Sequence, residues 1–179
     1  MPSDTLYALC AAARDAAAVR RVFEIKGREG ERALPLFVGD LAMAEHIGEF
    51  NDEAHTLAKR FWPGQLTIVV KKLPDYASEA LASDGTVALR VPDHEVALAV
   101  VRGLGEAVTA TSANLSGGPD PISAEEVRRQ IGDRLDVILD AGPAQSGLAS
   151  TIVDCTSPEP RVLRHGAIGE AAIADALKA

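Results

Sequence analysis

Hydroxyl and amide side chains are concentrated in one stretch of the sequence, TATSANLSGGPDPIS, which covers residues 109–123. A polar loop that leads into the N-terminus of a helix can present backbone N–H groups to a phosphate. Ser112 and Asn114 would add neutral donors and acceptors, and Gly117 and Gly118 permit a close backbone approach. Taken alone, the stretch fits a turn and a helix cap as well as it fits a ligand site.

Five basic residues lie outside the plain helical faces and are candidates for binding an anion: Lys26, Arg28, Arg32, Arg90 and Arg164. Lys26, Arg28 and Arg32 leave a helix that is predicted to stop at Gly27 and enter a loop, while Arg90 and Arg164 lie on strands. Each one alone could be an ordinary solvated charge. The formal net charge is −8, which disfavours a protein whose main task is to grip nucleic acid. Whether these cations cluster in one place therefore decides more about an anion site than the total charge does.

The first residues, PSDTLYAL, bring Ser3, Asp4, Thr5 and Tyr7 together. Their position at the start of the sequence predicts a frayed terminus. The alternative is a loop whose hydroxyls bind a small polar ligand. Phosphate-loop, dinucleotide-binding and G-x-S-x-G motifs are absent from the sequence. No Cys or His spacing matches a zinc site, so we predict no metal held by protein ligands alone.

Helical and strand patterns alternate along the chain. Helices are predicted after Asp15, Asp40, Asn51, Asp93 and Ser123 and at the Ala-rich end, and strands at 34–38, 65–70, 86–91, 107–111, 135–142, 150–155 and 161–164. This order predicts an α/β fold with a twisted mixed sheet flanked by helices. We expect one domain over residues 1–179 and a cytoplasmic protein, because no membrane span or signal peptide is evident.

Five segments occur in one order: PSDTLYAL, KGREGERALPL, TVALRVPDH, TATSANLSG, and STIVD followed by VLRHGAI. Together they closely resemble the YrdC-like threonylcarbamoyl-AMP synthase family, from Pro2 to about Ile168. The resemblance implies a YrdC-like domain with a large concave, electropositive cavity. It also implies synthesis of threonylcarbamoyl-AMP and pyrophosphate from L-threonine, bicarbonate and ATP, for N6-threonylcarbamoyladenosine formation at position 37 of tRNA.

The resemblance assigns roles to individual residues. The family's Lys-x-Arg and Ser-x-Asn hallmark falls on Lys26, Arg28, Ser112 and Asn114, which would be catalytic. L-threonine would lie near Thr5, Arg90, Ser112 and Ser150. ATP, accompanied by Mg²⁺, would face Arg28, Arg32, Thr86, Asn114 and Arg164. We expect catalysis by positioning and charge stabilisation, and transfer of the product to a separate threonylcarbamoyl-transferase complex.

Several positions depart from the family pattern. Glu29 replaces the usual Pro, Ile122 replaces a frequent Thr, and the sequence begins at a segment that a strand and turn usually precede. One alternative is therefore a divergent paralogue that acts as an RNA- or nucleotide-binding module, with tRNA or RNA contact. A second alternative is another carbamoyl-handling enzyme, related to hydrogenase maturation proteins.

Overall fold

The computed structural model describes residues 1–27, 33–81 and 83–178. The helices are α1 (Ala16–Lys26), α2 (Leu41–Glu45), α3 (Asp52–Phe61), α4 (Glu95–Leu104), α5 (Ala124–Ile131) and α6 (Glu170–Ala176), and a 3₁₀ turn covers Gly132–Arg134. The strands are β1 (Ala8–Leu9), β2 (Leu36–Phe37), β3 (Gly48–Glu49), β4 (Leu66–Lys72), β5 (Thr86–Arg90), β6 (Val108–Thr109), β7 (Thr111–Ser112), β8 (Thr151–Asp154) and β9 (Arg161–Arg164).

Seven strands form the main sheet, in the order β6-β2-β5-β4-β8-β9, with β3 paired to the end of β4. The pairs β2–β5 and β4–β8 are parallel and the other pairs of this sheet are antiparallel. Strands β1 and β7 form a separate antiparallel pair. The predicted α/β fold with a mixed sheet and helices is therefore confirmed. No helix of the described residues has the length and apolarity that a membrane crossing requires.

Capping residues fix where α1 ends and so where Lys26 lies. The Asp15 carboxylate accepts a hydrogen bond from the Ala18 N–H, and Gly27 ends the helix with φ of 65°. Both ends agree with the prediction. The predicted cap of α4 was wrong by one residue, because His94 rather than Asp93 accepts the Val96 N–H at its ring Nδ1.

Three aliphatic side chains meet at the centre of the sheet, because Leu89 of β5 pairs with Leu36 of β2 and with Ile68 of β4. All three are fully buried, and each such side chain stabilises the fold by about 1.5–3 kcal/mol. The next pair in register is Phe37 with Arg90. Since successive strand residues point to opposite faces, Phe37 and Arg90 project away from this aliphatic layer.

Two strand predictions differ from the structure. The predicted strand 107–111 divides at Ala110, whose N–H donates to the Pro35 carbonyl, so β6 joins the main sheet and β7 joins β1. The predicted strand 135–142 is wrong, because no strand of the described residues pairs with it. Its Val137 is 71% exposed. A strand needs a partner for its backbone groups, and local side-chain propensity does not supply one.

Candidate active-site cavity

A cavity of about 370 Å³ lies between the main sheet and the β1–β7 pair. Its volume is within the range of small-molecule sites. Its lining combines apolar side chains such as Leu34, Phe37 and Ile152 with polar ones. The polar lining residues are Ser3, Thr5, Tyr7, Thr67, Arg90, Thr111, Ser112, Asp120, Ser150 and Arg164. The predicted Thr5, Arg90, Ser112, Ser150 and Arg164 are thus brought to one place.

Arg90 forms the buried end of this cavity. Its Nε donates to the Gly64 carbonyl at 2.8 Å, its Nη1 to Thr5 Oγ1 at 2.9 Å and its Nη2 to Asp4 Oδ1 at 2.5 Å. Its guanidinium carbon lies 5.4 Å from the centre of the Phe37 ring. Burial lowers the pKa of Arg90, and the Asp4 carboxylate opposes that effect. Three hydrogen-bond acceptors and an aromatic ring thus fix the orientation of the guanidinium.

Arg164 approaches the cavity from the edge strand β9. Its Nη2 donates to the carbonyl and the hydroxyl of Ser150, at 2.8 and 3.0 Å, and the Ser150 hydroxyl contacts Thr67 Oγ1 at 2.8 Å. Partial burial lowers the pKa of Arg164; Asp120 opposes this effect and the positive charge of Arg90 adds to it. Gly166 permits the approach, since a Cβ there would lie 2.5 Å from the Ser150 carbonyl carbon.

Lys26 and Asn114 lie behind the cavity wall and meet at Ser112. Lys26 Nζ donates to Asn114 Oδ1 at 2.6 Å and to the Ser112 carbonyl at 2.7 Å. The Ser112 hydroxyl also donates to Asn114 Oδ1, at 2.7 Å. Asn114 Nδ2 donates to the carbonyls of Gly118 and Pro119 at 2.8 and 3.2 Å. This network holds the polar loop in place, and of the three residues Ser112 lines the cavity.

The N-terminal segment is ordered and buried, so the interpretation as a frayed end is wrong. The Ser3 hydroxyl donates to the Leu6 carbonyl at 2.7 Å and contacts Thr5 Oγ1 at 2.9 Å. Tyr7 is fully buried, and its hydroxyl donates to the Gly142 carbonyl at 2.6 Å. Ser3, Thr5 and Tyr7 all line the cavity.

Of the predicted ATP contacts, Arg164 lines the cavity, whereas Thr86 and Asn114 are not among the described residues that do so. Thr86 begins β5, and its hydroxyl donates to Asp84 at 2.7 Å. It lies four strand residues, or about 13 Å, from Arg90 and is not among the described residues that line the cavity. The resemblance around TVALRV implies that both residues lie near a substrate, and of the two Arg90 is among the described residues that line the cavity. Arg28 and Arg32 lie outside the described residues.

Three polar lining residues, Thr67, Thr111 and Asp120, were not among the predicted site residues. Thr67 looked like an ordinary residue of a β-branched strand, and its position next to Ser150 follows from the pairing of β4 with β8. Asp120 lies in the loop that Asn114 organises, with Asn114 Nδ2 at 3.3 Å from its Oδ1. The cavity was expected to be electropositive, so nothing in the sequence predicted a carboxylate there except the position of Asp120 in the polar stretch 109–123. Within residues 1–27, 33–81 and 83–178, no three His, Cys, Asp or Glu side chains gather as a metal site would require.

The sequence and fold match one family over nearly the whole chain. The family model Sua5/YciO/YrdC, described as telomere recombination, matches residues 1–166. The threonylcarbamoyl-AMP synthase of Bacillus subtilis is 40% identical over 169 residues, which are 93% of this chain and 49% of the relative. A putative threonylcarbamoyl-AMP synthase of Mycobacterium tuberculosis (strain H37Rv) is 40% identical over 178 residues, 99% of this chain and 82% of the relative.

A solved structure agrees with these relatives. The crystal structure of P. abyssi Sua5 complexed with L-threonine superposes with a TM-score of 0.91 at 37% identity, over 98% of this chain and 52% of that chain. The chain thus spans about half the length of the B. subtilis and P. abyssi proteins. The resemblance of the five segments is confirmed, and the chain belongs to the Sua5/YciO/YrdC family.

Proposed function

We propose that this protein makes L-threonylcarbamoyl-AMP and pyrophosphate from L-threonine, bicarbonate and ATP. The observation that carries the proposal is that Arg90 and Arg164 share one cavity with the hydroxyls of Thr5, Ser112 and Ser150. Relatives that are named threonylcarbamoyl-AMP synthase, and one structure that contains L-threonine, support this choice of substrates.

L-threonine would bind at the Arg90 end of the cavity. A guanidinium has five N–H groups, and Arg90 donates three of them to Gly64, Thr5 and Asp4. One N–H on each terminal nitrogen is left, and a carboxylate can accept two such bonds from an arginine. The hydroxyls of Thr5 and Ser150 offer acceptors for the ammonium and hydroxyl groups of the amino acid.

ATP would bind beside L-threonine in the same cavity, near Arg164 and Ser112. Lys26 and Asn114 would act here through Ser112 and the loop that they hold, while Arg28 and Arg32 are assigned by resemblance. Mg²⁺ would arrive with the triphosphate, since magnesium in such sites takes most ligands from phosphate and water. Asp120 is the carboxylate among the described lining residues that could contact it.

The reaction needs two bond-forming steps. The threonine amine nitrogen attacks the carbon of bicarbonate and water is lost, which gives a carbamate. A carbamate oxygen then attacks the α-phosphorus of ATP, and the bond to the pyrophosphate oxygen breaks. The protein contributes orientation of the two substrates and positive charge near the leaving pyrophosphate, which together provide most catalysis in phosphoryl and nucleotidyl transfer.

Pyrophosphate release by the purified protein tests the proposal. Release should require ATP, L-threonine and bicarbonate together. Lys26→Met should lower the rate by about 100-fold, because Ser112 and the polar loop lose the contacts that position them. Lys72→Met is the matched control, because Lys72 Nζ also binds backbone carbonyls, of Leu73 and Tyr76, but not at the cavity. Its rate should stay within about twofold of wild type.

Other outcomes identify the alternatives. ATP turnover that does not need threonine would indicate another carbamoyl-handling reaction. No turnover, together with salt-sensitive tRNA binding, would indicate an RNA-binding module. Under the main proposal, the product would pass in the cytoplasm to a separate transferase complex that modifies tRNA adenosine 37.

A further inference from the structure

Asp4 lies next to Arg90 and forms a buried ion pair with it. The exposed fractions of the two side chains are 3% and 4%, and Arg90 Nη2 donates to Asp4 Oδ1 at 2.5 Å. Arg90 lines the cavity, whereas Asp4 is not among the described residues that do so. We propose that Asp4 is a positioning residue that fixes the plane and balances the charge of the Arg90 guanidinium for the carboxylate of the amino-acid substrate. This inference rests on the proposed function.

Three acceptors hold the guanidinium of Arg90, one at each nitrogen. The Gly64 carbonyl and Thr5 Oγ1 hold Nε and Nη1, but both are neutral. Asp4 holds Nη2 and is the negative group in direct contact with the guanidinium. Because a buried charge is costly without a partner, Asp4 makes a buried cation tolerable at this position. Its bond also prevents the guanidinium from rotating about the Nε contact.

The second oxygen of Asp4 supports a functional explanation. Asp4 Oδ2 is buried and makes no hydrogen bond, and among the described residues it is the one buried side-chain atom in that condition. Native proteins nearly always satisfy both oxygens of a buried carboxylate, since an unsatisfied one destabilises the fold. The hydrogen bond that the Asp4 side chain accepts comes from Arg90, the arginine proposed to face the substrate.

This arrangement predicts that Asp4 affects binding of the substrate carboxylate and of no other group. With Asp4 in place, the pair is neutral and one N–H on each terminal nitrogen of Arg90 is left for a ligand. Without Asp4, Arg90 keeps its charge but loses the contact that orients Nη2. The loss should therefore be large for a ligand that carries a carboxylate and small for an otherwise identical ligand without one.

Calorimetric titration with L-threonine and with L-threoninamide, which lacks the carboxylate, provides the test. Asp4→Ala should weaken L-threonine binding by about 30-fold or more, as truncation of one partner of a buried charge pair does. The same variant should change threoninamide binding by less than about twofold. Asp4→Asn keeps an oxygen for Nη2 and should weaken L-threonine binding by only about threefold.

Asp154→Ala is the matched control, because the Asp154 side chain is 12% exposed and pairs with Arg161 at 3.0 Å, not with a cavity residue. It should leave both affinities within about twofold of wild type. Equal losses for the two ligands in Asp4→Ala, or L-threonine binding within twofold of wild type, would overturn the inference. If Asp4→Ala does not fold, Asp4→Asn decides: the inference fails unless its loss is confined to L-threonine.

Failure of the proposed function gives a different result. A wild-type protein that binds no L-threonine overturns both proposals. A wild-type protein that binds L-threonine but releases no pyrophosphate overturns the proposed synthesis only, and the role of Asp4 is then decided by the difference between the two ligands.

Discussion

Arg90 and Arg164 reach the same cavity from different parts of the sheet. Arg90 ends β5, which lies between β2 and β4, and its side chain is 4% exposed. Arg164 ends the edge strand β9, is more exposed than Arg90, and donates from its Nε and Nη2 to Ser150. Neighbouring strands and a buried carboxylate thus fix the first arginine, whereas one residue holds the second.

Under the proposed function, the two arginines would recognise different substrates. A buried guanidinium with a fixed plane can select a small planar carboxylate. An exposed arginine on an edge strand can adjust to a flexible triphosphate, whose charge is spread over many oxygens. The central arginine should therefore contribute to both folding and amino-acid binding, while the edge arginine should contribute to ATP binding alone.

Arg90→Ala should have the largest effect. It leaves Asp4 as a buried charge without a partner, so the free energy of unfolding should fall by about 3–5 kcal/mol. L-threonine affinity should fall by about 100-fold or more, because the bidentate contact is lost. Urea denaturation and calorimetry measure the two quantities. If the free energy of unfolding of Arg90→Ala lay within about 1 kcal/mol of the wild-type value, the contrast between the two arginines would lose its basis.

Arg164→Ala should separate ATP binding from folding. The KM for ATP should rise by about tenfold, since a hydrogen bond to a charged group contributes about 1.5–3 kcal/mol. The free energy of unfolding should change by less than about 1 kcal/mol, because the side chain is exposed. Steady-state kinetics with each substrate varied in turn provides the measurement. A rise in the KM for L-threonine as large as that for ATP would contradict the division between the two arginines.

The smallest effect is expected for the ion pair between Arg161 of the edge strand β9 and Asp154. Burial alone would raise the pKa of Asp154, but hydrogen bonds from Thr156 and Arg161 outweigh it and the pKa is lowered. A lowered pKa means that this carboxylate stabilises the fold at neutral pH and that the stabilisation is lost as the pH falls through the native pKa.

Asp154→Asn should therefore reduce the acid-induced loss of stability between about pH 5 and pH 2 by less than about 1 kcal/mol. Thermal denaturation across that range provides the measurement. If Asp154→Asn changed the free energy of unfolding as much as Arg90→Ala, ion pairs at the edge and at the centre of the sheet would contribute equally to stability. The contrast between the two arginines would then not hold.

Local signals predicted helix ends well. Asp15 and Gly27 bracket α1, Asn51 caps α3 and Ser123 caps α5, as the sequence analysis expected. A cap depends on a side chain and on N–H groups two or three residues away, so the neighbouring sequence contains the whole interaction. The same reason explains why Lys26 was correctly expected to leave a helix end, next to the segment that resembles the family hallmark.

Strands and site contacts were predicted less well, because they depend on distant residues. Segment 135–142 has the β-branched composition of a strand but no strand partner among the described residues. Thr86 and Arg90 belong to one strand, yet only Arg90 reaches the cavity. Composition and spacing give the face on which a side chain lies, but not which strand end faces a ligand.

The amino-acid sequence by itself determined the alternation of helices and strands, the helix caps and the family segments, because each of these depends on residues close together in the chain. Only the tertiary structure decided that Asp4 pairs with Arg90, that Asn114 and Lys26 meet behind Ser112, and that Arg164 contacts Ser150. The first two contacts join residues more than 80 positions apart, with separations of 86 and 88. Only the pairing of strands and the packing of α1 bring such residues within hydrogen-bonding distance.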